Sequence, residues 1–130
     1  MTAQIPYCQD TGVGLIPWSP IARGALTRSW SDRSSKRAET DKFVNMLVYE
    51  REFATDKMII ERVEEVAKKH NVSMACIATA WCIKKGVCPI IGISSKERIE
   101  EAVQNVNFKL SDEDAKYLEE AYVPKERQGF

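Results

Sequence analysis

Residues 73–103, SMACIATAWCIKKGVCPIIGISSKERIEEAV, decide the fold. Ser73 can cap a helix that is apolar almost all round and stops at Gly86, so that helix must be buried on most of its circumference. CPIIGI, residues 88–93, then reads as a strand whose apolar residues are continuous, as in a strand covered on both faces. Ser94 with Glu97 three residues on forms a capping box for the helix KERIEEAVQNV, with Ile99, Val103 and Val106 lining one side.

Working outward, GLIPWSPIARGAL at residues 14–26 supplies a second short apolar run, LIPW, whose proline permits only an edge or a strand end. A remnant around Ile5–Asp10 precedes it. From Ser19 to about Ala54 the sequence is polar and irregular, with FVNMLVYEREF inside it as a further helical turn or two. Such a long excursion is usually functional or mobile. Thr55 or Asp56 can cap a helix running to about His70, with Ile59, Val63 and Val66 inward. A last helix opens at Ser111, turns Ala115, Leu118 and Tyr122 inward and stops before Pro124. Strands separated by helices mean parallel pairing through crossovers, the grammar of an α/β protein. Two strands are too few for such a sheet to stand alone, so neighbours that would complete it are expected.

The chain has 130 residues, 19 basic and 19 acidic side chains and 44% hydrophobic residues, a balance suited to one globular domain, residues 1–130. A formal net charge of zero gives no basic field for a nucleic-acid backbone, and no apolar run approaches the roughly 20 residues of a membrane span. The start, MTAQIPYCQDTG, has neither a basic nor an apolar leader region, and a cytoplasmic location is expected. Cys8, Cys76, Cys82 and Cys88 form no CxxC pair and meet no histidine at ligand spacing, so free, mostly buried thiols and no metal are expected. His70, the only histidine, closes a helix, where an imidazole complements the helix dipole. Tyr7, Tyr49, Tyr117 and Tyr122 have no motif around them and read as packing residues.

The two quoted stretches, in this order, resemble the C-terminal part of the aldo-keto reductase superfamily, closest to fungal aryl-alcohol dehydrogenase-like members. The resemblance implies a (β/α)8 barrel that binds NADP(H), of which this chain would be strands seven and eight with their helices. A complete barrel takes ~250 residues, so roughly half or more would be missing and the chain would begin in the middle of a barrel. It further implies that Trp18 stacks on the nicotinamide ring, and that Ser19, Ile21, Arg23 and Gly24 lie along the pyrophosphate. Arg28, Arg33 and Arg37 would be phosphate partners in a loop, residues 19–54, that folds over the cofactor. Ser94, Ser95, Lys96 and Arg98 would surround the adenosine 2′-phosphate, favouring NADP(H) over NAD(H). Glu101 matches a contact to the adenine amino group, while Ala102 departs from the Asn commonly found there.

The tyrosine, lysine, aspartate and histidine of family catalysis match no position in this chain. The resemblance therefore implies an oxidoreductase of aldehydes or aryl alcohols, represented by a portion inactive alone. A non-catalytic NADP(H)-binding protein that docks its half-barrel onto a second copy or a front-half partner, and a non-functional remnant, are the alternatives. On the residues alone, Trp18 also reads as core, Ser94 and Glu97 as a cap, and Lys96 and Arg98 as a solvated face.

Overall fold

The computed structural model describes residues 4–32 and 54–124. Arg33, Arg37, Tyr49 and the segment FVNMLVYEREF lie outside the described residues, as does most of the expected covering loop. Among the described residues five α-helices follow in order: α1 Gln4–Thr11, α2 Ala54–His70, α3 Met74–Lys84, α4 Lys96–Asn107 and α5 Asp112–Glu120. A 3-10 turn, Ala22–Thr27, sits between α1 and α2.

The apolar character of α3 fixes the architecture. Met74, Cys76, Ile77, Ala78, Thr79, Ala80 and Cys82 are all buried, so this helix runs through the centre with α2 and α4 packed on it. Ser73 caps it by accepting a 3.1 Å bond from Cys76 N–H, and Gly86 ends it at φ +74°, a left-handed conformation that a side chain would strain. Ile60, Val63, Val66 and Ala67 of α2 join Ile77, Ala80, Leu110, Ala115 and Leu118 in the main core. Ile59, expected inward, is only half-buried, and the stripe runs through its neighbour Ile60. Thr55 and Asp56 lie inside α2 rather than capping it.

The expected strands reduce to a single parallel bridge between Trp18 and Ile90. Cys88 N–H donates to Leu15 C=O at 2.9 Å and Ile90 N–H donates to Pro17 C=O at 3.0 Å, so LIPW and CPIIGI do lie side by side in parallel. The residue placed to answer Cys88 C=O between these bonds is Pro17, which has no N–H. That missing donor interrupts the ladder, and LIPW and CPIIGI are correspondingly not assigned as extended strands. A second small core, Ile5, Cys82 and Val87 with Leu15 against it, ties α1 to this pairing.

Four further expectations are corrected. The cap of α4 is Ser95, which accepts from Arg98 N–H at 3.4 Å, so the Ser94–Glu97 capping box is not formed. Tyr122 lies beyond the end of α5 and is 46% exposed. Tyr7 is exposed too, whereas Tyr117 packs against the core. Ile99, Val103 and Val106 do share one side of α4, but that side is uncovered, at 52%, 63% and 55% exposure, and α4 buries no residue fully. All four cysteines are free; Cys8, Cys76 and Cys82 are buried and Cys88 is exposed.

Candidate functional site

Two adjoining clefts open where the chain leaves the Trp18–Ile90 pairing. The larger, about 600 Å³, is walled on one side by Ile21, Gly24, Thr27 and Arg28. Its other wall is Ser94, Arg98, Glu101, Ala102 and Asn105, with Ser73, Ala75 and Thr79 of α3 and its cap between and Ile91–Ile93 closing it. The smaller, about 410 Å³, is lined by Trp18, Ser19, Pro20, Ile21, Arg23 and Ile90–Gly92. Ile21, Ile91 and Gly92 line both, so the two sequence motifs face one continuous concavity.

The first wall is a turn in an unusual backbone conformation. Ser19, Ala22, Arg23 and Gly24 have φ of +55°, +49°, +56° and +98°, a run of left-handed residues of which only the last is glycine. Such conformations cost a non-glycine residue free energy and persist where the surroundings impose them. Here Ala22 and Gly24 N–H donate to Ser19 and Ile21 C=O at 2.9 Å, and Thr27 Oγ1 donates to Gly24 C=O at 2.8 Å. A Cβ built on Gly24 would stand 2.9 Å from Arg28 Nη2, so the bare backbone makes room for the guanidinium. Arg23 lies 5.4 Å from the Trp18 ring centroid, over an indole that is 69% exposed. An exposed indole face at the mouth of a polar cleft can stack on a planar group.

On the second wall, Arg98 Nη1 donates to Ser94 Oγ at 3.4 Å, which brings together a guanidinium and a hydroxyl, two groups suited to anionic oxygens. Ser73 Oγ donates to Glu101 Oε1 while its lone pair caps α3, so one oxygen of that carboxylate is tethered inside the cleft. Burial, followed by the Glu101 charge, raises the pKa of the neighbouring Cys76 thiol and keeps it protonated. Two residues of the expected set are not brought in. Ser95 is engaged in capping α4, and Lys96 points to solvent, paired with Glu100 at 3.9 Å. Thr27, Ser73, Thr79 and Asn105 line the cleft without having been singled out. Asn105 was accessible to helical periodicity, since it follows Arg98 by seven residues and Glu101 by four.

The donor set fits a phosphorylated nucleotide: two guanidiniums and a serine hydroxyl suit phosphate oxygens, a carboxylate suits an amino group, and an open indole suits a flat ring. His70 stands elsewhere. Its Nε2 is bonded to Asp114 Oδ2 at 2.7 Å and its ring meets Phe108 edge-on at 5.4 Å, a structural setting. Among the described residues no group of three or more His, Cys, Asp or Glu side chains is placed to hold a metal, and no helix is long and apolar enough to cross a membrane.

Two short runs paired in parallel, helices between them and a cleft where the runs end are features of an α/β arrangement. The profile of the Aldo/keto reductase family matches residues 2–123, and the chain belongs to this family. Its fold is a (β/α)8 barrel, and its members are oxidoreductases that generally use a nicotinamide cofactor. The chain is 54% identical over 122 residues to versiconal hemiacetal acetate reductase of Aspergillus parasiticus, covering 93% of this chain and 36% of that protein. It is 55% identical over 126 residues to a Schizosaccharomyces pombe protein provisionally named an aryl-alcohol dehydrogenase, covering 96% and 38%. An aldo-keto reductase of Fusarium vanettenii is 47% identical over 126 residues, with 96% and 34% covered. The chain thus spans about a third of the length of these relatives.

Proposed function

We propose that this chain is the cofactor-holding portion, strands seven and eight with their helices, of an NADP(H)-dependent aldo-keto reductase acting on aldehydes or aryl alcohols. The observation that carries this reading is the single concavity into which residues 18–28 and 91–105 converge. The bound nicotinamide supplies hydride to the carbonyl carbon, or takes it from the alcohol carbon in the reverse direction. Trp18 offers the flat apolar surface that fixes which face of that ring meets substrate. The turn at Ser19–Gly24 supports the pyrophosphate with its backbone and hydroxyl, and Arg28 neutralises its charge. Arg98 and Ser94 hold the 2′-phosphate, and from these NADP(H) selectivity follows. Ser95 and Lys96 act only indirectly, one by capping α4 and the other as part of the local positive field.

Among the described residues, none lining the cleft beside Trp18 is a carboxyl, imidazole, phenol or lysine able to protonate the carbonyl oxygen, and acid-base help is worth ~10²–10⁴ in rate. Carbonyl reduction then depends on an acid group from outside these residues. A second reading is a non-catalytic module that binds NADP(H) and docks on a barrel partner or a second copy. The open apolar residues Ile16, Trp18, Val103 and Val106 favour a partner.

Titration of the chain with NADPH, read by nicotinamide fluorescence and tryptophan quenching with NADH as control, tests the shared core of both readings. Saturable binding that favours NADPH, and loses that preference in Arg98→Ala, is expected. A folded chain that binds neither nucleotide overturns them. Loss of NADPH absorbance with an aromatic aldehyde by the chain alone would overturn its dependence on an outside acid.

A further inference from the structure

The smaller cleft holds a charge whose effect on a ring stacked there has not been counted. Among the described residues that line it, Arg23 alone is charged. Its guanidinium carbon lies 5.4 Å from the centroid of the Trp18 ring, inside the range of a cation–π contact. The backbone aims it there. Arg23 has φ +56° between Ala22 at +49° and Gly24 at +98°, and Ala22 and Gly24 N–H donate to Ser19 and Ile21 C=O at 2.9 Å, so the turn fixes the direction in which the side chain leaves. Arg23 is half-buried, yet the indole stays 69% exposed. One indole therefore carries a cation and an open stacking surface at the same time.

We propose that Arg23 sets the oxidation state of the nicotinamide that the cleft prefers, favouring the neutral dihydronicotinamide of NADPH over the cationic ring of NADP+. This inference rests on the proposed NADP(H) reading. The two forms differ at the ring by one positive charge, while their pyrophosphate and 2′-phosphate charges are the same and cancel in a comparison of affinities. A ring stacked on Trp18 stands on the order of 10 Å from the guanidinium whichever part of the indole it covers. At ~10 Å and an effective dielectric constant of about 20, repulsion between two unit charges shifts an equilibrium constant about tenfold. The cation–π contact works in the same direction, because a guanidinium that draws on the negative face of the indole leaves it a poorer platform for a second cation. At equal concentrations of the two forms such a cleft fills with the reduced one, which suits carbonyl reduction.

The test is the ratio of Kd for NADP+ to Kd for NADPH, measured on the 130-residue chain by nicotinamide fluorescence for NADPH and by its displacement for NADP+. In Arg23→Gln, with helicity by circular dichroism unchanged, that ratio should fall about tenfold at low salt. Arg23→Lys, which keeps the charge, should hold most of the ratio. A second measurement needs no variant: in the unaltered chain the ratio should shrink between about 0.01 M and 1 M salt, as the Debye length drops from about 30 Å to about 3 Å. Equal weakening of both forms in Arg23→Gln, or a ratio indifferent to salt, overturns the assignment and makes Arg23 a phosphate partner only, with the cofactor reading left standing. Absence of saturable NADPH binding by the folded, unaltered chain removes both.

Discussion

Asp114 is 3% exposed and carries a charge, which needs an account. Burial pushes its carboxyl toward the neutral form, but hydrogen bonds from Lys69 at 2.8 Å, His70 at 2.7 Å and Ser111 at 2.8 Å outweigh it and bring the pKa down to about 2. A carboxylate with a lowered folded-state pKa contributes stability above its unfolded value of 3.8, and that contribution is lost as pH falls through the folded value of about 2. Between those values the chain should lose about 2 kcal/mol, read as a fall in thermal midpoint by circular dichroism. Asp114→Asn should flatten the slope in that window and cost about 2 kcal/mol at neutral pH, since three donors lose a charged acceptor. Gly24 is the other residue whose role is local. At φ +98°, with Arg28 Nη2 at 2.9 Å from a built Cβ, Gly24→Ala should destabilise by about 1–2 kcal/mol in urea titration. The guanidinium, being the end of a flexible side chain, would swing aside and weaken NADPH binding in the same variant.

Helices α3 and α4 show how the same element type can be opposite in energetics. Ile77 of α3 is completely buried, so Ile77→Ala should cost about 2–5 kcal/mol, whereas Val103→Lys on the open side of α4, at a dilution where the chain is monomeric, should stay within about 0.5 kcal/mol. A comparable cost for both, by chemical denaturation, would mean that the α4 face is covered in solution. The difference in legibility follows the same line. α3 could be read because a helix without a polar side has only one place to go, and Ser73, Gly86 and Ser111 could be read because capping and stopping are local. Ser95 replaced Ser94 as the cap because two adjacent serines satisfy the rule equally, and a one-residue shift decides which hydroxyl meets Arg98 N–H. Ile60 replaced Ile59 for the same reason, as adjacent isoleucines leave the helix face ambiguous by 100° of rotation. The cleft's two walls were visible as motifs. Its floor was not: Ser73 and Thr79 come from a helix 50 residues away from Gly24, and only the folded chain shows them meeting there. The Asp114 cluster was hidden likewise, since Lys69 and His70 lie 45 and 44 residues from it.

At the scale of the whole molecule, helical packing is largely satisfied and sheet packing is not. The main core is closed by α2, α3 and α5, but among the described residues the parallel pairing has only one partner for each run. Val13, Ile16 and Ile90 stand exposed around Trp18, and α4 presents Ile99, Val103 and Val106. Apolar patches of this kind on a monomer mark surfaces made for contact, and unpaired strand edges offer backbone donors and acceptors to any neighbour. The isolated chain should therefore self-associate, with a sedimentation coefficient that rises with protein concentration. Because association would close over the indole, Trp18 should grow less accessible to acrylamide quenching across the same range. Ile16→Lys together with Val103→Lys should return the chain to a concentration-independent monomer, since each lysine places a charge in a surface that must desolvate on contact. A monomer at every concentration, with Trp18 freely quenched, would show that these faces are tolerated in water, and that the driving force for a barrel partner is weaker than their exposure implies.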